Sequence, residues 1–202
     1  MIRKAVTGDA LGIAKVHVDT FRSTYNGIYP DEFLSNMSYE RARHTWETTH
    51  LVPSSPNAVY IAEDESEHIV GFAICGPDRD SDPIYKGEVI GLYVLQKMQR
   101  RGIGKRLMLA AVQDLSSRGF SSMLVWVLAD NPSRHFYEKL GGEHVQTRDT
   151  IVGGKSFKEL GYGWKSLDSI SQNANHVPQI DRASTCVLNN ELAAWVEFGI
   201  YS

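Results

Sequence analysis

The segment Gln99-Arg100-Arg101-Gly102-Ile103-Gly104 combines two things a phosphate group needs, backbone clear of side chains and concentrated positive charge. A helix N-terminus leaves several backbone N–H groups without intrahelical acceptors and carries partial positive charge. Glycines at 102 and 104 let an anion approach those groups closely. Arg100, Arg101, Lys105 and Arg106 add cations suited to a diphosphate and a further phosphate. Such a pattern alone is equally a loop before an ordinary helix. Here it follows an apolar strand-like stretch and opens a helix, which is the context of an anion site.

Two nucleotide-binding alternatives fit poorly. A dinucleotide fold places G-x-G-x-x-G after its first strand, with an acid about 20 residues on. In this chain the turn lies mid-sequence and Leu107 stands where the third glycine belongs. The P-loop pattern G-x-x-x-x-G-K-[ST] is absent.

The elements that must position the turn are legible from periodicity. Residues 2 to 6 read as a strand, with Thr7 or Asp9 capping a helix whose buried face is Leu11, Ala14, Val18 and Phe21. Ser38 begins a second helical pattern that runs to about Thr49. Residues 58 to 63 and 69 to 75 pattern as paired strands. In the strand 87 to 95, alternation puts Glu88, Ile90, Leu92 and Val94 on one face, and Val89, Gly91, Tyr93 and Leu95 on the other. Ile103, Leu107, Ala111 and Leu115 mark the next helix, which Gly119 ends. Residues 122 to 128 form a doubly buried strand, and Asn131-Pro132 starts a short helix with Asn131 as its cap. Two strands, 144 to 151 and 156 to 166, flank the turn Gly153-Gly154.

Composition narrows the partners. A formal net charge of −3 gives no global positive field that would draw the chain to nucleic acid or an anionic membrane. The longest apolar run, Met123 to Ala129, is too short to span a bilayer, and no signal peptide is evident at Met1. Two distant cysteines, Cys75 and Cys186, match no metal spacing and suit a reducing compartment. The expectation is a cytoplasmic protein without a metal.

With these residues in view, the sequence resembles the GCN5-related N-acetyltransferase (GNAT) family over roughly residues 2 to 166. The resemblance rests on Gly87-Glu88-Val89-Ile90-Gly91-Leu92-Tyr93-Val94 followed by Gln99-Arg100-Arg101-Gly102-Ile103-Gly104, and on the order of elements. It implies an α/β (α+β) fold, a mixed, mostly antiparallel twisted sheet flanked by helices and splayed around the pantetheine arm. It further implies that residues Gln99 to Gly104, with Lys105, hold the diphosphate of acetyl-coenzyme A. Backbone groups of Leu92, Tyr93 and Val94 would meet the pantetheine, and Asn131 would touch the cofactor. The implied activity is transfer of an acetyl group to a primary amine.

Acetyl transfer needs a deprotonated amine and a proton for the leaving thiolate. By spacing alone, Tyr137 is either a packing aromatic or a hydroxyl donor at a cleft; the resemblance assigns it as general acid. Glu88, inside an apolar strand, is either a strand-end glutamate in solvent or a proton acceptor. It precedes Gly102 by 14 positions (102 − 88), as the glutamate base does in histone-modifying members of the family. The histidines, His17 among them, have no metal-like or triad-like spacing and read as scattered core or surface residues. No nucleophile motif is present, which favours direct attack by the amine in a ternary complex over an acetyl-enzyme.

In the family the acceptor pocket draws on the first two helices and the last two strands, here Phe21, Tyr25 and Tyr29, with Phe33, Trp46 and the hairpin at Gly153. Each of these aromatics is equally suited to packing. The acceptor is a small-molecule or peptide amine of unspecified identity. A non-catalytic acyl-coenzyme A-binding module is the rival, although it would need neither Glu88 nor Tyr137. The expected boundary falls at 167, with 168–202 a polar linker and an apolar end that docks on the domain, pairs with another copy to form a homodimer, or is an addition.

Overall fold

The apolar periodicities resolve into seven strands and five α-helices in the computed structural model, which describes residues 1–170. The strands are β1 (Ile2–Lys4), β2 (Ala58–Glu63), β3 (Ile69–Pro77), β4 (Gly87–Val94), β5 (Met123–Leu128), β6 (Glu143–Val152) and β7 (Lys155–Trp164). They form one sheet in the order β1-β2-β3-β4-β5-β7-β6, and every neighbouring pair is antiparallel except β4 and β5. The mixed, mostly antiparallel sheet expected from the sequence is the observed one.

Helix α4 (Ile103–Ser117) packs Leu107, Ala111 and Leu115 against Val89, Leu92, Val125 and Val127 on one face of the sheet. On the other face, α1 (Ala10–Tyr25), α2 (Asp31–Ser35), α3 (Tyr39–Thr45) and the turn after it bury Ile13, Phe21 and Trp46 against Ile61, Phe72 and Ile90. Each side chain of this size contributes about 1.5–3 kcal/mol by leaving water. Leu11 is a correction: it is 44% exposed, because the buried stripe of α1 runs through Ile13, Ala14, His17 and Phe21 instead.

Two local readings also change. The helical pattern from Ser38 is α3 followed by a π-helical turn, Trp46–His50; the Ser38 hydroxyl accepts from the Arg41 N–H at 3.4 Å, as a cap should. Helix α2 escaped the periodicity because five residues after Pro30 are too few to show a 3.6-residue repeat.

The decisive feature is where β4 leaves β5. The two strands pair only at Gly87↔Met123 and Glu88↔Leu124. Beyond that point β4 follows β3 and β5 follows β7, so a gap opens between their C-terminal halves. A bulge accounts for the divergence: Ile74 pairs with Gly91 and Cys75 with Val89, leaving Ile90 as an extra residue that bends the strand. The bulge also overturns the simple alternation expected for this strand. Leu92 and Val94 join Val89 in the α4-side core, whereas Ile90 and Tyr93 lie in the core under α1.

The chain past β7 remains attached to the domain. The Leu167 N–H donates to the Ser121 carbonyl at 3.0 Å, and Leu167 and Ile170 are buried in the α4-side core. The remainder of the expected linker and the apolar end lie outside the described residues. Among the described residues, no helix is long and apolar enough to cross a membrane.

Gly71 on β3 keeps β4 in place. A Cβ there would lie 2.7 Å from the Tyr93 carbonyl oxygen and 3.2 Å from Leu107 Cδ1. Gly71→Ala is expected to destabilise the domain by roughly 1–3 kcal/mol through overpacking, read as a lower urea midpoint.

Candidate active site

The glycine turn lies where β4, having parted from β5, delivers the chain to α4. Backbone φ is positive at Arg100 (61°), negative at Arg101 and positive again at Gly102 (73°), the sign alternation of an anion-binding nest. A Cβ at Gly102 would meet nothing within 4 Å. Glycine is required there by the left-handed conformation, and its absent side chain leaves the helix end open. The Arg106 N–H closes the first turn on the Gly102 carbonyl at 3.1 Å, so the amides of Ile103, Gly104 and Lys105 precede the first intrahelical bond. Gln99, expected among the diphosphate residues, donates its side-chain amide to the Val94 carbonyl at 3.0 Å and fastens the turn to the end of β4.

Leu92, Tyr93 and Val94 are all buried, on the stretch of β4 that has no ladder to β5. Across the gap stands Asn131, 0% exposed. Its Oδ1 accepts from the Ser133 N–H at 2.9 Å, but the N-cap of α5 (Arg134–Lys139) is Ser133. Asn131 therefore caps the turn before α5, a correction to the sequence reading. Its Nδ2 is buried and finds no acceptor among the described residues. An amide left so costs about 1–3 kcal/mol, which a cofactor acceptor atom in the gap would relieve. The open left-handed turn, the unladdered β4 and this orphaned amide fit a coenzyme A diphosphate and pantetheine.

Tyr137 projects from α5 and is fully buried, its ring 6.2 Å from Tyr162 and 6.4 Å from Trp164 in the α4-side core. Glu88 is also 0% exposed, so it is not a strand-end carboxylate in solvent. Arg79 grips it bidentately, Nε to Oε2 at 2.9 Å and Nη2 to Oε1 at 2.5 Å, and the Arg79 backbone N–H adds a 3.3 Å bond. A carboxylate inside a sheet demands such a partner. That demand is the one sequence signal for Arg79, which no periodic pattern marks. Beside it, burial and the nearby Glu88, Asp80 and Asp82 carboxylates push Asp78 above the usual range.

The proposed acceptor aromatics are inside the second core. Phe21 packs tilted against Tyr25 at a centroid distance of 4.5 Å, and Tyr25 stacks on Tyr29 at 4.3 Å. Tyr29 reaches β7 through an edge contact with Phe157 at 5.0 Å. The connection after α1 thus meets the last hairpin, with Pro30 Cγ 3.0 Å from a Cβ built on Gly153. His17 sits in the same core among Phe21, Trp46, Phe72 and Tyr93, and burial pushes it down to about 3.

Comparison with known proteins agrees with this geometry. The model of the acetyltransferase (GNAT) family matches residues 18–142, from α1 through the glycine turn to α5. The chain belongs to the GNAT family. It is an acyltransferase of the N-acetyltransferase kind. An uncharacterized N-acetyltransferase, YuaI, of Bacillus subtilis (strain 168) is 36% identical over 174 residues, covering 86% of this chain and 98% of YuaI. Two GNAT-like solved structures share the fold. The paia N-acetyltransferase from Thermoplasma acidophilum, in complex with coenzyme A, has a TM-score of 0.61 at 22% identity, covering 79% of this chain and 96% of its own. Salmonella typhimurium yncA, a putative acetyltransferase with its cofactor acetyl-CoA, has a TM-score of 0.62 at 19% identity, covering 83% and 94%.

Burial holds His17 and, at about 4, His50 neutral in the folded chain. An unfolded histidine titrates near 6.5, so below that pH the unfolded state binds more protons. Their contribution is complete above pH 6.5 and is lost as pH falls towards 4 and then 3, on the order of 1 kcal/mol per pH unit for each. His17→Leu should lose less stability than the parent between pH 7 and 5 in chemical denaturation; equal losses would contradict this account.

Proposed function

We propose that the protein transfers an acetyl group from acetyl-coenzyme A to a primary amine by direct attack within a ternary complex. The observation that carries the reading is the parting of β4 from β5 immediately ahead of the left-handed glycine turn. When bound, acetyl-coenzyme A supplies the activated acetyl group and a thiolate leaving group.

The chain's own residues divide the remaining work. The amides at the start of α4, with Arg100, Arg101 and Lys105, bind the diphosphate, while Gln99 keeps the turn on β4. The backbone of Leu92 to Val94 orients the pantetheine, and the Asn131 Nδ2 donates to it. Tyr137 protonates the departing sulfur. Glu88 receives the amine proton, directly or through water. Arg79 engages both carboxylate oxygens, but Oε1 accepts only one of those bonds and keeps a lone pair for the incoming proton. No observation favours a non-catalytic binding module.

Two measurements test the roles. Tyr137→Phe should lower kcat about 100-fold with little change in acetyl-coenzyme A affinity, since positioned proton donors are worth 10²–10⁴. Unchanged turnover in a steady-state assay removes Tyr137 from the mechanism. Glu88→Gln should abolish the acidic limb of the kcat/KM profile, and a variant retaining that limb rules out the base role.

A further inference from the structure

A second buried carboxylate lies on the same face of the sheet as Glu88, and nothing above employs it. In the register of the last three strands, Leu128 of β5 stands opposite Glu159 of β7, which stands opposite Arg148 of β6. Directly opposed residues share a face, so Glu159 points to the side where α1–α3 pack and where Phe157, two positions earlier, meets Tyr29. It is one strand away from β5, the strand that borders the gap.

Glu159 is 1% exposed, and its bonding is incomplete. Oε2 accepts from Arg148 Nε at 2.7 Å, and no described residue donates to Oε1. The same guanidinium is shared, since Arg148 Nη1 donates to Asp80 at 2.5 Å while the cation lies 4.0 Å from the centroid of the Trp126 ring. Asp80 is half exposed and shares its charge with solvent, so Arg148 compensates the buried Glu159, but through one oxygen only. A buried carboxylate oxygen with no donor is costly, and a charged donor entering beside it would supply the missing bond.

Its flanks carry independent marks of a missing ligand. Trp126 and Thr150 occupy the adjacent rows of the same face, 3% and 4% exposed, and among the described residues neither Trp126 Nε1 nor Thr150 Oγ1 has a hydrogen-bond partner. The Trp126 benzo edge covers Gly161 of β7, where a Cβ would lie 3.2 Å from Cζ3. Trp126 Nε1 can only donate, but the Thr150 hydroxyl, which can accept, stands with spare capacity beside an acceptor oxygen with spare capacity.

We infer that Glu159 is the specificity-determining residue of the acceptor site, seating a second cationic group of the acceptor, which is a diamine or another amine bearing a remote positive charge. The logic rests on the transferase reading above. A carboxylate holding the attacking nitrogen as its ammonium would oppose attack, whereas one holding a second ammonium orients the neutral end.

The full chain saturated with coenzyme A should bind 1,4-diaminobutane at least about 10-fold more tightly than butylamine by calorimetry, given the worth of a charged hydrogen bond. Glu159→Gln, whose amide oxygen can still accept from Arg148, should weaken the diamine roughly 10- to 100-fold and leave butylamine unchanged. Glu159→Asp should recover part of the loss. In turnover the Gln variant should raise KM for the diamine with kcat and its pH limbs retained, which separates a binding role from a base. Equal affinity of the two amines for the parent chain, or equal losses for both in the variant, overturns the inference. The parent comparison decides even if the variant fails to fold. Diamine binding that depends on Glu159 without turnover of any amine would keep this subsite and defeat the transfer reading alone.

Discussion

Everything distinctive about this sheet follows from one extra residue. Ile90 has no partner on β3, and the bend it introduces takes β4 away from β5 after two paired positions. A continuous parallel pairing would have buried the backbone of both strands in ladder bonds. The divergence instead leaves a stretch of buried β4 polar backbone facing a gap, a state that is costly unless something else supplies the bonds. The glycine turn then starts α4 at the mouth of that gap, with its amides ahead of the first intrahelical bond. Bulge, unladdered strand and open helix end are successive consequences of one departure from regular geometry.

The two faces of the sheet have different tasks. On the α4 side the packing is aliphatic and dense, and Tyr137 is held there between Tyr162 and Trp164. On the α1 side the core is aromatic, and towards β5–β7 it gives way to charged side chains: Glu88 with Arg79, and Glu159 with Arg148 and Asp80. Burying ionised groups among apolar rings does not serve stability well, since well-packed apolar residues often do as much or better. Their concentration beside the gap is the pattern expected where a fold gives up stability for a site.

Much of this was legible in the residues themselves. The turn at Gly102, the helix it opens and the doubly buried strand β5 all announce themselves by local pattern, because strand, turn and helix there obey their own periodicities. The phase of β4 did not, because a bulge is a relation between two strands, and alternation within one cannot reveal it. Helix α2 was too short to show a period. The Arg79–Glu88 and Arg148–Glu159 pairs stayed hidden for a similar reason, since each joins segments 9 and 11 residues apart through a fold that only the sheet register defines. Asn131 was singled out by type and position, yet its part in the turn before α5 depended on three-dimensional geometry.

The loop between β3 and β4 is bonded on both banks of the gap. Arg79 holds Glu88 on β4, while Asp80 and Asp82 reach Arg148 and Gln146 on β6. It works as a crossbar, fixing the span between the half of the sheet that carries the glycine turn and the half that ends in the β6–β7 hairpin. On the proposed reading, sequence drift in the hairpin can therefore reshape the acceptor side without touching a residue of the turn, provided the crossbar keeps its anchors. The family match ends at residue 142, just before the hairpin begins. If the proposed roles hold, a protein divided in this way can hold one donor and explore many acceptors, with a nine-residue loop, 78 to 86, as the part that must change in step with both.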